Sequence, residues 1–367
     1  MKAIRNETVL LKYAVNNPGI RRCIGLFLPV QRHKNKLSFQ HHPNISNIMK
    51  QFLYTLVFAL FLTGFSAIRL SAQQDARYSM YMFNGMYVNP AYVGSNGAPS
   101  LSAFYRKQWV NIEGSPQSIS LSANTALGKR DQYGLGGIAE YDEIGVHQRI
   151  TGYLAYAYRF KLPIGHLALG VQGGVQYLRS NFTDITPEEV ITNPDPVFQE
   201  NNSVLLPNFG LGIWFNTPWV FAGVSAPHLL NNKLKDGQPD VAVVGRQFRH
   251  YMANAGVVIA AGQSLKIVPS VLVKAVPRNA PVQFDTNLSF FIKDVVWIGS
   301  SFRFEQLFNP ESVNAIIGFQ FKNGLRLGYA YDYTLSNLQN FTSGSHEATL
   351  GYDIKKKAER FVTPRYF

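Results

Sequence analysis

The sequence predicts an all-β fold, a transmembrane antiparallel up-and-down β-barrel of about fourteen strands. Three observations predict it: alternating strand patterns, an export leader, and connections that alternate between short and long. Within residues 117 to 125, for example, Ile119, Leu121 and Ala123 alternate with serine and asparagine. A membrane barrel requires this period of two, because lipid surrounds its outer face while its inner face is wet.

The leader occupies residues 49–72. Met49 and Lys50 precede an apolar run over residues 52–65, and small residues follow up to Ala72. This order is typical of a secretory signal peptide, and the run is shorter than the roughly twenty residues of a spanning helix. Residues 1–48 are basic and have no clear period, so we expect an upstream extension from a misplaced start codon, with Met49 the initiator.

The charge balance changes once the leader is removed. The whole chain carries 35 Lys and Arg against 22 Asp and Glu. Residues 1–72 hold ten of the basic and one of the acidic residues, which leaves 25 against 21, a net charge of +4. A nucleic-acid partner is therefore not expected. The single cysteine, Cys23, lies in the discarded part, so no disulfide or thiolate metal site is expected either.

Fourteen segments between residues 100 and 354 combine an alternating pattern with flanking turn residues, and an even number suits a single-chain barrel. They are Ser100–Trp109, Gln117–Ala126, Tyr133–Tyr141, Arg149–Lys161, His166–Arg179, Val204–Phe215, Trp219–Ala226, Arg249–Ala260, Leu265–Val276, Val282–Ile292, Val295–Glu305, Val313–Lys322, Leu325–Thr334 and His346–Ile354.

The connections supply the orientation. Those after even-numbered strands are short, whereas 180–203, 227–248 and 335–345 are long. Outer-membrane barrels have short periplasmic turns and long outer loops. We therefore expect the outer membrane of a Gram-negative bacterium, with both termini periplasmic. Aromatic residues near strand ends, such as Trp219 and Trp297, are expected to form the interfacial girdles.

Residues 73–99 form an N-terminal aromatic segment before the first strand. Its core, residues 77–94, is rich in Tyr, Met and Asn, and Asn89, Pro90 and Gly94 predict turns. By residue type this segment is either a periplasmic cap or a plug in the lumen.

Several blocks, in order along the chain, carry a resemblance to a known family. They are RYSMYMFNGMYVNPAYVG (77–94), SLSAFYRKQWVNIEGSPQS (100–118), LLPNFGLGIWF (205–215), APHLLNNKL (226–234), RHYMANAG (249–256), APVQFDTNLSFF (280–291), LRLGYAYDYTLSNL (325–338), GSHEATLGYD (344–353) and TPRYF (363–367). Together they resemble the PorP/SprF family of type IX secretion system membrane proteins.

The resemblance implies an outer-membrane barrel that works with the type IX export apparatus. Its expected partners are outer-membrane lipid, type IX components, and a large secreted surface protein such as a gliding adhesin, whose export or surface attachment it would assist. The alternative is an outer-membrane solute channel or a transporter of apolar compounds, because a barrel does not fix function.

Charged residues on the inferred lumen faces are the candidate site. They are Arg106, Asp285, Arg326, Asp332, Glu347 and Asp353. Opposite charges on adjacent strands predict a network of ion pairs that could hold a plug, or that could face a partner segment. No activated nucleophile accompanies the acids, so no catalysis and no cofactor are expected. Metal binding is not expected, because no two histidines among His147, His228, His250 and His346 have ligand spacing.

Residues 355–367 form a basic periplasmic tail after the last strand. Its candidate docking residues are Lys355, Lys356, Lys357, Arg365 and Phe367. They could bind a periplasmic component, or the lysines could simply stop the strand from sliding into lipid.

Overall fold

The computed structural model describes residues 76–181, 202–234, 245–277, 280–306 and 309–354. Within these ranges, fourteen antiparallel strands pair in chain order and the first pairs with the last, so the sheet closes. The predicted up-and-down barrel is confirmed. The predicted extension (1–48), signal peptide (49–72) and basic tail (355–367) lie outside the described residues.

The strands are β1 (Ser100–Lys107), β2 (Gln117–Leu127), β3 (Tyr133–Ile144), β4 (His147–Leu162), β5 (Gly165–Ser180), β6 (Asn202–Asn216), β7 (Val220–His228), β8 (His250–Val257 continued by Ile259–Ala261), β9 (Leu265–Ala275), β10 (Gln283–Ile292), β11 (Val296–Glu305), β12 (Asn309–Gln320), β13 (Leu325–Thr334) and β14 (Ser345–Asp353). A separate two-stranded ladder pairs Lys233–Leu234 with Gly245–Arg246.

Each strand presents one face to the lumen and one to the exterior. On β14, Glu347, Thr349 and Asp353 are buried in the interior, whereas Leu350 and Tyr352 are 51% and 44% exposed on the outside. Large exposed apolar side chains occur on every strand except β9, whose apolar side chains are half-buried or buried. In water such exposure would be costly, but in a bilayer these side chains make the required contact with lipid.

Strand boundaries differ from the predicted ones where the backbone leaves the ladder. β1 ends at Lys107, since Trp109 has a φ of 46°, which extended strands do not adopt. β3 and β4 extend farther than predicted and meet at a tight turn, with Ile144 paired to His147 and Gly145 at a φ of 54°.

The two ends of the barrel have different connections. At the short-turn end, the connections are residues 128–132, 163–164, 217–219, 262–264, 293–295 and 321–324. At the long-loop end, the longest are 181–201, 229–249 and 335–344. This alternation agrees with the predicted one.

In the described part of the chain, no helix combines the length and apolarity needed to cross a bilayer.

Residues 76–99, hereafter the lumen segment, fill the interior. They contain a 3-10 turn (Tyr81–Phe83), a short helix α1 (Gly85–Val88) and a second 3-10 turn (Pro90–Tyr92). Most side chains of this segment are buried among inward-facing residues of the wall. The barrel core therefore combines apolar side chains of the strands with those of a segment that precedes the first strand.

The lumen segment runs along the barrel axis. Arg77 pairs with Glu305 and Glu311, at the long-loop end, and the carbonyl of Gly94 accepts from Arg159, near the short-turn end. The chain then enters β1 from the short-turn end. Ala76 thus lies at the end of the barrel opposite Asp353, because a segment of this length crosses the whole lumen. The predicted periplasmic position of both termini concerns residues outside the described ranges.

Candidate functional site

Arg106 on β1 forms the centre of a buried ion-pair cluster. Its guanidinium donates through Nη1 to Glu347 Oε2 at 2.9 Å and through Nη2 to Asp332 Oδ2 at 2.6 Å. The side chains of these residues are at most 3% exposed. Arg106 and Glu347 are direct partners in the pairing of β1 with β14, so the cluster sits on the junction of the first and last strands.

This cluster holds the lumen segment. The backbone amides of Ser79 and Met80 donate to the two oxygens of Glu347 at 2.7 and 2.9 Å. The hydroxyl of Ser79 donates to Asp332 at 2.6 Å and accepts from Arg106 at 2.9 Å. We call these five residues the central anchor. Removing one charge from such a buried, hydrogen-bonded group leaves an opposite charge buried without compensation, which strongly destabilises the folded protein.

Asp285 is paired by a residue that the sequence analysis missed. Arg303 Nε donates to Asp285 Oδ1 at 2.6 Å, and the two are direct partners in the pairing of β10 with β11. The spacing of Asp285 and Arg303 on either side of a short turn could have predicted this pair, since residues that face each other on a hairpin lie on the same face of the sheet. Closer to the long-loop end, Arg77 of the lumen segment pairs with Glu311 at 2.5 Å.

Arg326 and Asp353 form a different kind of pair. Arg326 lies 3.3 Å from Asp353 on the neighbouring strand and donates to Ser102 Oγ at 3.0 Å. All three positions belong to the wall, on β13, β14 and β1. This pair braces the wall near the short-turn end, whereas the central anchor grips the lumen segment.

Asn89 anchors the second half of the lumen segment. Its Nδ2 donates to the carbonyl of Ile213 at 2.9 Å, with Val224 O at 3.3 Å, and its Oδ1 accepts from the amide of Ala91 at 2.9 Å. The wall makes room for it with glycine, since a Cβ on Gly212 would lie 2.0 Å from Asn89 Oδ1. The sequence indicated only a turn at Asn89.

Aromatic contacts also attach the lumen segment to the barrel wall. Phe83 packs on Trp297 with ring centroids 4.6 Å apart, and Tyr92 packs on Trp214 at 5.4 Å. Trp297 is 2% exposed and faces the lumen, so its assignment to an interfacial girdle was wrong. Trp297 points inward because it lies on the same face of β11 as Arg303, six residues later, and that face lines the lumen. Trp219, at 64% exposure, does point outward.

Beside the lumen segment lie two small cavities, both lined in part by Tyr87. Their volumes are about 30 and 40 Å³, room for only a few water molecules. His250 lines one of these cavities and His228 lines the other. The two histidines, distant in sequence, are partners in the pairing of β7 with β8, with ring centroids 5.5 Å apart. Among the described residues, no group of three His, Cys, Asp or Glu is arranged to hold a metal ion.

The remaining candidates, Lys355, Lys356, Lys357, Arg365 and Phe367, lie outside the described residues. β14 leads into them from the short-turn end.

Solved structures with similar folds share little sequence. The chain matches the Acinetobacter baumannii outer membrane protein Omp33 at 8% identity and a TM-score of 0.42, over 70% of this chain and 98% of that one. It matches the Ralstonia pickettii toluene transporter TbuX at 10% identity and 0.46, over 73% and 92%. A Pseudomonas aeruginosa FadL homologue gives 12% and 0.41, over 74% and 93%. No curated protein matches the sequence.

A family model matches residues 70–352, which is most of the chain and includes the lumen segment together with nearly the whole barrel. The model describes type IX secretion system membrane proteins, and the closed barrel with an apolar exterior is the architecture of the bacterial outer membrane. The chain therefore belongs to the PorP/SprF family of type IX secretion system membrane proteins.

Proposed function

We propose that this protein is a closed-lumen accessory of type IX secretion that assists the export or surface attachment of one large partner protein, such as a gliding adhesin. Its role is to bind and position, without bond chemistry. The observation that carries the proposal is the lumen segment, which runs the length of the barrel and is fixed by Arg77, the central anchor and Asn89.

Because the interior is filled, the surfaces that remain accessible to partner proteins are the two ends of the barrel. The hydrogen bonds of Arg77 and of the central anchor are charge-assisted, the strongest class of hydrogen bond in proteins. The neighbouring cavities are too small to pass a solute. Partner proteins would then meet the long loops on one side and the short turns on the other. We place the short turns and the basic tail in the periplasm and the long loops outside, as in other outer-membrane barrels.

The tail is the proposed docking element for a periplasmic component. β14 ends at Asp353, at the short-turn end, so Lys355, Lys356 and Lys357 follow where the chain leaves the barrel. Arg365 and Phe367 would extend the contact. A chain stopped after Ile354 should then insert normally and lose only the partner.

A deletion strain tests the proposed role. Quantifying large surface proteins on intact cells should show that one or a few are missing, and the full chain should restore them. A chain stopped after Ile354 separates the tail from the barrel. If every large surface protein is displayed normally in the deletion strain, the proposed role is refuted.

The alternative, a solute channel or a transporter of apolar compounds, is favoured by the barrel alone. Planar-bilayer recordings of the full mature chain separate the two functions. The closed-lumen proposal expects no steady current, whereas a large and stable current from the unmodified protein would establish a pore.

A further inference from the structure

The short-turn end carries a ring of exposed cations. Its members lie in, or directly beside, the short connections, and we call them the cationic rim: Lys129, Arg130, Lys161 and Lys293. Asp294, the most exposed acid of these connections, pairs with Lys266 at 2.9 Å. The other acid of these connections, Asp131, is half-exposed, and one carboxylate does not balance four cations. The exposed surface of this end is therefore positive.

Among the described residues, the other end has no comparable excess of exposed cations. Its described exposed charges include Glu113 as well as Arg179 and Arg249, and several more are paired within the wall, such as Arg149 with Asp142 at 3.0 Å. The concentration of positive charge is thus a property of one end, and not a consequence of a basic chain.

Large exposed apolar side chains lie among the rim cations, in the same short connections at this end of the barrel. Ile164 and Trp219 stand in the short connections at 66% and 64% exposure, and Phe321 is 44% exposed beside Lys322. Apolar side chains next to Lys and Arg are the pattern of a membrane interface, where the apolar part enters the hydrocarbon and the cation reaches the headgroups. Because the connections are short, these cations cannot project far from the bilayer.

We propose that the cationic rim binds the phosphate groups of phospholipids in the leaflet that faces the short turns. Its ligand is an anionic phospholipid, and its occupancy fixes the depth at which this end of the barrel sits. The inference is independent of the secretion role; only the identity of the leaflet, the periplasmic one, rests on the orientation proposed above.

The test uses the full mature chain in maltoside micelles with added phosphatidylglycerol or phosphatidylcholine. Native mass spectrometry counts the lipids retained. Two variants neutralise the rim, Lys129→Gln with Arg130→Gln, and Lys161→Gln with Lys293→Gln. The matched control, Arg179→Gln with Arg249→Gln, removes two exposed cations at the long-loop end. Thermal unfolding of all four proteins shows whether each variant is folded.

The expected result is preferential retention of phosphatidylglycerol by the wild type, weakened by roughly fivefold for each rim cation removed. The control should retain lipid like the wild type, and added salt should weaken binding. Equal retention by rim variants and wild type would overturn the proposal, as would an equal loss in the control.

A protein ligand for the rim is the competing outcome. If the rim variants retain phosphatidylglycerol but lose a periplasmic protein that co-purifies with the wild type, the rim is a protein-docking surface and the lipid proposal fails. Normal surface display in cells carrying the rim variants would leave the secretion role intact in either case.

Discussion

Arg106 and Glu347 face each other across the junction of the first and last strands, 2.9 Å apart and in direct register. The same carboxylate accepts the amides of Ser79 and Met80. One buried charge pair therefore serves two purposes, because it joins the strands that close the barrel and fixes the segment that fills it.

Replacing Glu347 by Gln should lower the free energy of unfolding by about 3 kcal/mol, the lower part of the range for breaking a buried ion pair, because Asp332 still partners Arg106. Urea unfolding, followed by the shift in gel mobility between folded and unfolded barrel, measures it. Glu113→Gln, at an exposed position, is the control and should change stability by less than about 0.5 kcal/mol. Equal unfolding midpoints for all three proteins would show that the central anchor contributes little.

Gly318→Ala should destabilise the barrel by overpacking. A Cβ at Gly318 would lie 1.9 Å from the ring of Trp297, which in turn packs on Phe83. The added methyl must displace the indole toward the lumen segment, at a cost of about 1–3 kcal/mol. Thermal unfolding and tryptophan fluorescence should both change. In the control, Gly152→Ala, the new Cβ meets nothing within 4 Å, so a similar loss there would point to a general effect of alanine on strands.

Asn89→Ala should loosen the second half of the lumen segment. The change removes the amide that donates to Ile213 and accepts from Ala91, and unpaired buried carbonyls cost about 1–3 kcal/mol each. We expect brief current openings in planar bilayers that the wild type lacks. Asn340→Ala, in an exposed turn, is the control. A variant as silent as the wild type would mean that the other anchors alone keep the lumen closed.

Leu154→Arg tests the lipid-facing surface. Leu154 lies midway along β4 and is 73% exposed. An arginine near the bilayer midplane costs about 2–4 kcal/mol, and near the interface about 0–1 kcal/mol. The folded fraction in lipid vesicles should therefore fall for Leu154→Arg and remain high for Ile164→Arg, which lies in a short turn. Equal folding of both variants would place β4 outside the hydrocarbon.

The strands of the barrel wall could be predicted from the sequence, but the path of the segment that fills the interior could not. Alternation along a strand fixes which side chains face the lumen, so positions such as Ser118 and Ser120, both fully buried, could be assigned from a period of two. Turn residues and connection lengths then supplied strand number and order. The same alternation would have placed Trp297 inside, had its position near a strand end not suggested a girdle.

The path of residues 76–99 could not be derived in this way. The segment has no repeating pattern, and its contacts reach partners far along the chain, such as Glu347 for Ser79 and Ile213 for Asn89. Acidic residues on the lumen face suggested that something was held there. Only the three-dimensional arrangement shows that the lumen segment binds Glu347 through backbone amides and not through a charged side chain.

The order of the chain has a consequence for biogenesis. Residues 76–99 precede β1, and Glu347 on the final strand is needed both for them and for the seam with β1. A nascent sheet that curled up empty would leave no route for inserting a folded stretch sideways through a hydrogen-bonded wall. We expect the stretch to lie in the concave face when β14 arrives, so that the last strand to be synthesised seals the cylinder around its contents.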